Sequence, residues 1–278
     1  MAYNSITNYQ SYIVNPKSQI GNQPMHILVT NDDGVTAPGL LALAQEMRKL
    51  GKVTVFAPDK NWSASGHVKT MERPLRVKEV ALADGTSAFA SDGAPSDCVA
   101  LPLLGLVDEA IDIVVSGINP NANIGHDITY SGTVTAAMEA VIAGVSGVAV
   151  SLDSPEGHKG PLDYSTSAVV ARRVVEQVIA DGLPEGVVLN VNVPYLTESE
   201  LKGYMITRQG LRVYRDALDV RSDPRGKPYY WIGGEAPTGV DEPGTDFGAL
   251  RAGYVSITPL HLDLTHLKAM DVLKKWNF

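Results

Sequence analysis

The chain is short of several things that would each point to a function class. It has one cysteine, Cys98, in 278 residues, so no intrachain disulfide can form. That scarcity fits a reducing, cytoplasmic setting. No apolar run approaches the ~20 residues a membrane helix needs, so no membrane partner is expected. Positive charge is in deficit, with 23 Lys and Arg against 31 Asp and Glu and a net charge of −8. A broad nucleic-acid-binding surface is therefore excluded, while a small phosphorylated substrate in a locally positive site is not. Met1 to Pro24 is rich in Asn, Ser, Gln and Tyr and lacks the basic start and apolar centre of a secretory signal. It reads as a flexible or surface-draped extension. The 44% hydrophobic content supports a large core.

Apolar segments alternate between strand and helix character from Met25 to about Val193. The expected strands are His26–Thr30, Val53–Ala57, Ile111–Ser116, Gly147–Ser151 and Val187–Val193. The expected helices are Pro38–Leu50, Ser96–Leu106, Gly132–Ala143 and Asp163–Ala180. Short Val- and Ile-rich strands that are apolar on both faces predict an α/β fold with a mostly parallel sheet flanked by helices. Val77–Val80 and Ser87–Ala90 read as a small excursion. After Pro194 the texture changes. Turn clusters at Ser222–Gly226 and Glu242–Asp246 flank Tyr229–Ile232, which predicts an extended hairpin or arm suited to contact between subunits. A strand at Tyr254–Thr258 and a terminal helix at Leu262–Trp276 follow. The expected division is 1–24 as extension, 25–193 as catalytic core, and 194–278 as arm and terminal helix integrated with the core.

Four polar loops carry the chemistry. The first, Asn31-Asp32-Asp33-Gly34, follows an apolar strand, where open α/β sheets bind ligands. Two adjacent carboxylates there are costly unless a cation neutralises them. Taken alone, the same residues also read as a turn with a helix cap. The second loop, Ala57–His67, offers Ser63, Ser65 and His67. The third, Ser116–Gly125, supplies Asn119, Asn121 and Asn123 as neutral oxygen ligands or amide donors. The fourth, Tyr130-Ser131-Gly132-Thr133-Val134, opens a small-residue helix whose free N–H groups and dipole favour an anion. Ser131 serves equally as a plain helix cap. Together, Asp32, Asp33, Ser63 and Asn119 make an all-oxygen donor set that suits Mg²⁺ or Mn²⁺ better than structural zinc. Metal-assisted phosphoester hydrolysis is the reaction class that follows.

These motifs, with Asp223-Pro224-Arg225-Gly226, Pro243–Phe247 and Gly253–His261 in the same order, resemble the SurE family of survival proteins and 5′-nucleotidases. The resemblance spans essentially Met25–Phe278. It implies a Rossmann-like core and a phosphatase that uses one divalent metal ion per subunit to act on nucleoside 5′-monophosphates. It places metal ligands at Asp32, Asp33, Ser63 and Asn119, and phosphate contacts at Asn123, Ser131, Gly132 and Thr133. It also implies a cytoplasmic homodimer or homotetramer assembled through the carboxyl-terminal arm. The chain departs from the family at Pro120-Asn121-Ala122, at Gly93-Ala94-Pro95 and in its leader. No proposed metal ligand is lost.

Asp32 is expected to orient or deprotonate the attacking water, with Asp33 mainly a ligand, although the reverse assignment is open. A covalent aspartyl-phosphate is the rival chemistry. His67 and His126 are candidate proton donors, Lys60 a candidate phosphate contact, and Trp62 a candidate base-stacking ring. The two histidines and Lys60 also read as ordinary surface residues, and Trp62 equally as cover for an oligomer interface. His261, Asp263 and His266 read as structural. Two other functions stay open: a non-catalytic nucleotide-binding or sensing module, and a general phosphomonoester, 3′-nucleotide or polyphosphate hydrolase.

Overall fold

In this computed structural model the structure describes residues 25–277, so the extension read at residues 1–24 lies outside it. Its central strand is β1 (His26–Thr30), every residue of which is buried. The chain continues through α1 (Pro38–Met47), β2 (Lys52–Pro58), β3 (Val77–Ala81), β4 (Ser87–Ser91), α2 (Pro95–Leu101) and β5 (Ile113–Asn119). Then come α3 (Gly132–Ile142), β6 (Ser146–Asp153), α4 (Ser165–Asp181), β7 (Val187–Pro194) and β8 (Tyr204–Ile206). The hairpin β9 (Arg212–Ser222) and β10 (Pro228–Gly239) precedes α5 (Asp246–Arg251), β11 (Val255–His261) and α6 (Leu267–Leu273).

Nine strands form one sheet in the order β3-β4-β2-β1-β5-β6-β7-β11-β8. Only the β3–β4 and β7–β11 pairs are antiparallel. The predicted α/β class, a mostly parallel sheet flanked by helices, is what the chain forms. Alternate residues of β1 feed two cores. Ile27 and Val29 pack with Leu40, Leu43 and Met47 of α1 and with Val170 and Val174 of α4. Leu28 turns the other way, with Val114, toward Cys98 and Val99 of α2 and Ala136 and Ala140 of α3. Burial pushes the Cys98 thiol well above its usual range, and nearby Asp97, Asp59 and Asp92 add to that shift. This single cysteine is packing material rather than a nucleophile.

From β1 the chain steps to β2 on one side and later returns to β5 on the other. The crevice between the ends of β1 and β5 is therefore the topological switch point, where doubly wound sheets bind ligands. Helix α3 is pressed hard against this region. A Cβ placed on Gly147 of β6 would lie 2.2 Å from the Ala137 carbonyl oxygen. Small residues at the interface let the helix approach closely enough for its first turn to reach the switch point.

Several elements differ from expectation. The helix read as Ser96–Leu106 ends at Leu101, and Pro102–Leu106 forms an irregular turn with Gly105 at φ 106°. Pro102 brings no N–H, and Gly105 supplies the left-handed turn. The terminal helix read as Leu262–Trp276 shrinks to Leu267–Leu273, with the His266 ring capping it by accepting the Ala269 N–H. Asp263 closes a turn onto the Thr265 N–H just before it. Tyr229–Ile232, read as part of a hairpin or arm, falls near the start of a twelve-residue strand paired with β9. Strand β8 was not anticipated, because three residues carry too little periodicity to read.

Candidate active site

The turn after β1 is closed by one side chain. The Asn31 amide donates to the Gly34 carbonyl, and its oxygen accepts the Gly34 N–H, both at 3.1 Å. Gly34 takes φ 104°, and the Val35 N–H reaches the Pro58 carbonyl at 2.8 Å. Asn31 thus does the work of the turn and leaves Asp32 and Asp33 unspent on it. The Ser63 loop is drawn in by the Trp62 N–H, which donates to the Asp32 carbonyl at 2.7 Å.

Asp32 is 3% exposed and sits against the first turn of α3. The Thr133 hydroxyl donates to its Oδ1. A Cβ on Gly132 would fall 2.7 Å from the Asp32 Cβ, so only glycine permits this approach. Burial pushes the Asp32 carboxyl up, opposed by the Thr133 hydroxyl and by backbone amides including those of Thr133 and Gly132. Asp33 is pushed up to about 7, first by burial and then by the neighbouring Asp32 charge. Neither forms an ion pair with any described residue. The two carboxylates form a pocket of negative charge that the protein itself leaves unneutralised.

A cleft of about 880 Å³ is lined by Asp32, Ser63, Asn119, Asn123 and Ser131, while Asp33, next in the chain, stands outside its lining. Four loops far apart in sequence therefore meet. Asn119 spends its amide N–H on the Asn121 carbonyl and keeps its oxygen free. Ser63 is fixed by its backbone N–H on the Asn61 side chain at 2.7 Å, and its hydroxyl has no partner among the described residues. Asn123 is locked in a buried network. Its amide donates to Ser151 at 2.9 Å, its N–H to Asn192 at 2.8 Å, and its carbonyl accepts from Asn190 and Asn192. Ser131 caps α3 by accepting the Val134 N–H at 3.1 Å.

The remaining expected site residues stand elsewhere. Thr133 is fully buried, and its hydroxyl is directed at Asp32 rather than into the cleft. Asp33 lies within the charge field of Tyr164, whose hydroxyl is pushed up to about 12 by burial and then by Asp33. His67 pairs with Glu139 at 3.0 Å, and Lys69 holds the other Glu139 oxygen at 2.6 Å. Lys60 lies over the Trp62 ring at 5.1 Å. His126 is exposed on the turn before α3. None of His67, His126, Lys60 or Trp62 lines the cleft.

The cleft also has residues that the sequence did not single out: Asp127, Asp153, Arg212 and Arg251. Arg212 donates from Nε to Asp127 at 2.7 Å, and Tyr214 donates to the same carboxylate. Asp153 ends β6 as Asp32 follows β1, and that shared strand-end position was the available signal. Arg212 and Arg251 carried none, because only the fold brings the hairpin and α5 to the sheet's carboxyl edge.

Chemically, the cleft offers the Asp32 carboxylate and the neutral side-chain oxygens of Ser63 and Asn119, which with the adjacent Asp33 fit a hard divalent cation. Among the described residues no three His, Cys, Asp or Glu side chains gather as a metal cluster, so any cation held here depends on the neutral oxygens as well. The raised Asp33 carboxyl gives a sign. A carboxyl that titrates higher in the folded chain than its usual 3.8 favours folding at low pH, and this advantage is lost as pH rises through about 7. In EDTA, Asp33→Asn is expected to stabilise the protein at pH 8 by on the order of 1–2 kcal/mol, discounted for partial exposure, and to do little at pH 4. Thermal melts at the two pH values check this, and an equal effect at both would contradict it.

A sequence model of the family described as Survival protein SurE matches residues 27–216. A 5′-nucleotidase SurE from Herpetosiphon aurantiacus is 52% identical over 255 residues, covering 91% of this chain and 99% of that protein. One from Geobacter sulfurreducens is 50% identical over 253 residues, covering 91% and 94%. The crystal structure of the SurE protein from Aquifex aeolicus superposes with a TM-score of 0.75 at 41% identity, covering 90% of this chain and 98% of that one. With the aspartate pair at the switch point, the capped small-residue helix and these matches together, the chain belongs to the SurE family.

Proposed function

We propose that the chain hydrolyses nucleoside 5′-monophosphates to nucleoside and phosphate with the aid of one Mg²⁺ or Mn²⁺ ion. The observation that carries this is Asp32, without an ion-pair partner among the described residues, lining one cleft with the free oxygens of Ser63 and Asn119 while the raised Asp33 carboxyl sits beside it in the chain. The names of the relatives support the substrate class. Asp32, Asp33, Ser63 and Asn119 would hold the cation. When bound, it would supply charge to the phosphate oxygens and acidify a water.

The chain's own residues do the rest. Thr133 and the start of α3 fix the Asp32 carboxylate in place, so that it orients the attacking water and takes its proton. Asp33 serves mainly as a ligand. Ser131 and Asn123 flank the phosphate from the cleft side, and the Gly132 backbone adds the helix dipole. Water attacks phosphorus, the bond to the ribose 5′ oxygen breaks, and that oxygen takes a proton from solvent in the open cleft. His67 is committed to Glu139 and has no part in this scheme.

The arm gives the assembly. Leu218, Val220, Tyr230, Trp231 and Ile232 expose apolar surface along the β9–β10 hairpin, more than one isolated hairpin would leave uncovered. This supports a homodimer or homotetramer built through the arm. The single buried thiol suits a reducing cytoplasm.

Two outcomes are expected. Phosphate release from 5′-nucleotides, 3′-nucleotides, short polyphosphate and p-nitrophenyl phosphate should be measured with Mg²⁺, Mn²⁺ or EDTA. Turnover should require metal and favour 5′-nucleotides, and Asp32→Asn should lower it by at least the ~10²–10³ typical of a charge-stabilising group. Equal release in EDTA, or full activity of the variant, would sink the scheme. In light scattering, the wild type should be oligomeric, and Trp231→Lys with Ile232→Lys should give monomer. A monomeric wild type would contradict the assembly.

A further inference from the structure

The cleft is longer than a phosphate site requires. Asp32 follows β1, and Asp153 ends β6, with β5 between them. At a strand spacing of ~4.8 Å the two carboxylates stand about 10 Å apart across the sheet edge. That is the kind of span a nucleotide bridges from its 5′ phosphate across the ribose to the base. Tyr195, just past β7, and Phe247, on α5, continue the wall beyond Asp153 with two partly buried rings.

Asp153 is the unspent group at this end. It is half-buried, and no described residue donates a hydrogen bond to its carboxylate or forms an ion pair with it. Its surroundings include two guanidinium groups, Arg212 and Arg251, whose charges both act on it. Arg212 is held by Asp127. Arg251, the last residue of α5, is exposed, lines the cleft and has no ion pair among the described residues. A half-buried carboxylate that lines a cleft with no protein donor leaves its accepting oxygens open to a ligand that can donate to them.

Resting on the nucleotidase reading, we propose that Asp153 and Arg251 are the base-reading end of the cleft and that they select guanine. A carboxylate only accepts hydrogen bonds, and a guanidinium only donates them. Guanine alone among the common bases presents two adjacent donors, the ring N1–H and the 2-amino group, beside an acceptor, O6. The two Asp153 oxygens match the donor pair, and Arg251 matches O6. Adenine and cytosine turn a ring lone pair toward the carboxylate, and uracil offers one N–H between two carbonyls. Each mismatch leaves a donor or acceptor unpaired where the bound base shuts out water, which is how sites built on hydrogen bonds reject analogues.

The test compares kcat/KM for GMP, AMP, CMP and UMP with that for ribose 5-phosphate, which has no base. Wild type should favour GMP by about 10–100-fold, the range for hydrogen bonds to charged groups. Asp153→Asn and, separately, the exposed Arg251→Gln should each erase most of that preference and leave ribose 5-phosphate turnover unchanged. Equal kcat/KM across the four bases would overturn the proposal, as would an equal loss on ribose 5-phosphate. If no substrate releases phosphate, the nucleotidase reading fails separately. Calorimetric titration of the metal-free protein then decides the base site: guanosine binding more tightly than adenosine upholds it, and equal or absent binding overturns it.

Discussion

The contact between Asp32 and the first turn of α3 is the constraint on which the rest of the site depends. A buried carboxylate is unfavourable, and here it is held by the Thr133 hydroxyl and by the amide end of a helix. Those donors reach it only because Gly132 offers no Cβ and because α3 lies flush on β6 at Gly147. The helix that packs the second core is thus also the helix that fixes the leading carboxylate. Asp33 receives no such help and keeps a raised proton affinity. One member of the pair is pinned and the other left in want of a cation.

Much of this was legible in the chain. Strand β1 and its turn were readable because five apolar residues end abruptly in polar ones. Helix α3 was readable because Ser131 caps a run of small residues. The loops of Asp32, Ser63 and Asn119 were readable from strand ends and Ser131 from its helix start, while the phosphate role of Asn123 was implied by the family resemblance. Thr133 was expected to face a phosphate, whereas its hydroxyl is directed at Asp32, because the helix phase places it beneath the turn rather than beside the cleft. Asp153, Arg212 and Arg251 escaped notice because nothing local marks them. They converge only once β6, the hairpin and α5 are arranged around the same sheet edge. The terminal helix was overread because its apolar residues are periodic, yet none of those in Leu267–Leu273 is buried.

The cleft has a division of labour that follows the strand order. Its β1–β5 end carries Asp32, with Asp33 beside it in the chain, and the capped helix, which suit a cation and a phosphate. Its β6–β7 end carries a carboxylate and a guanidinium without ion-pair partners among the described residues, and two aromatic rings, which suit the remainder of a nucleotide. Arg212, the first residue of the hairpin, lines the cleft and pairs with Asp127 on the turn before α3. The arm and the cleft wall therefore share a residue.

The central claim is that Asp32, Asp33, Ser63 and Asn119 together enclose one cation. Crystals soaked in Mn²⁺ and measured at a wavelength where manganese scatters anomalously test it most directly. The account predicts one strong anomalous peak per chain, bounded by those four side chains. A peak elsewhere in the cleft, or none at saturating Mn²⁺, would contradict it.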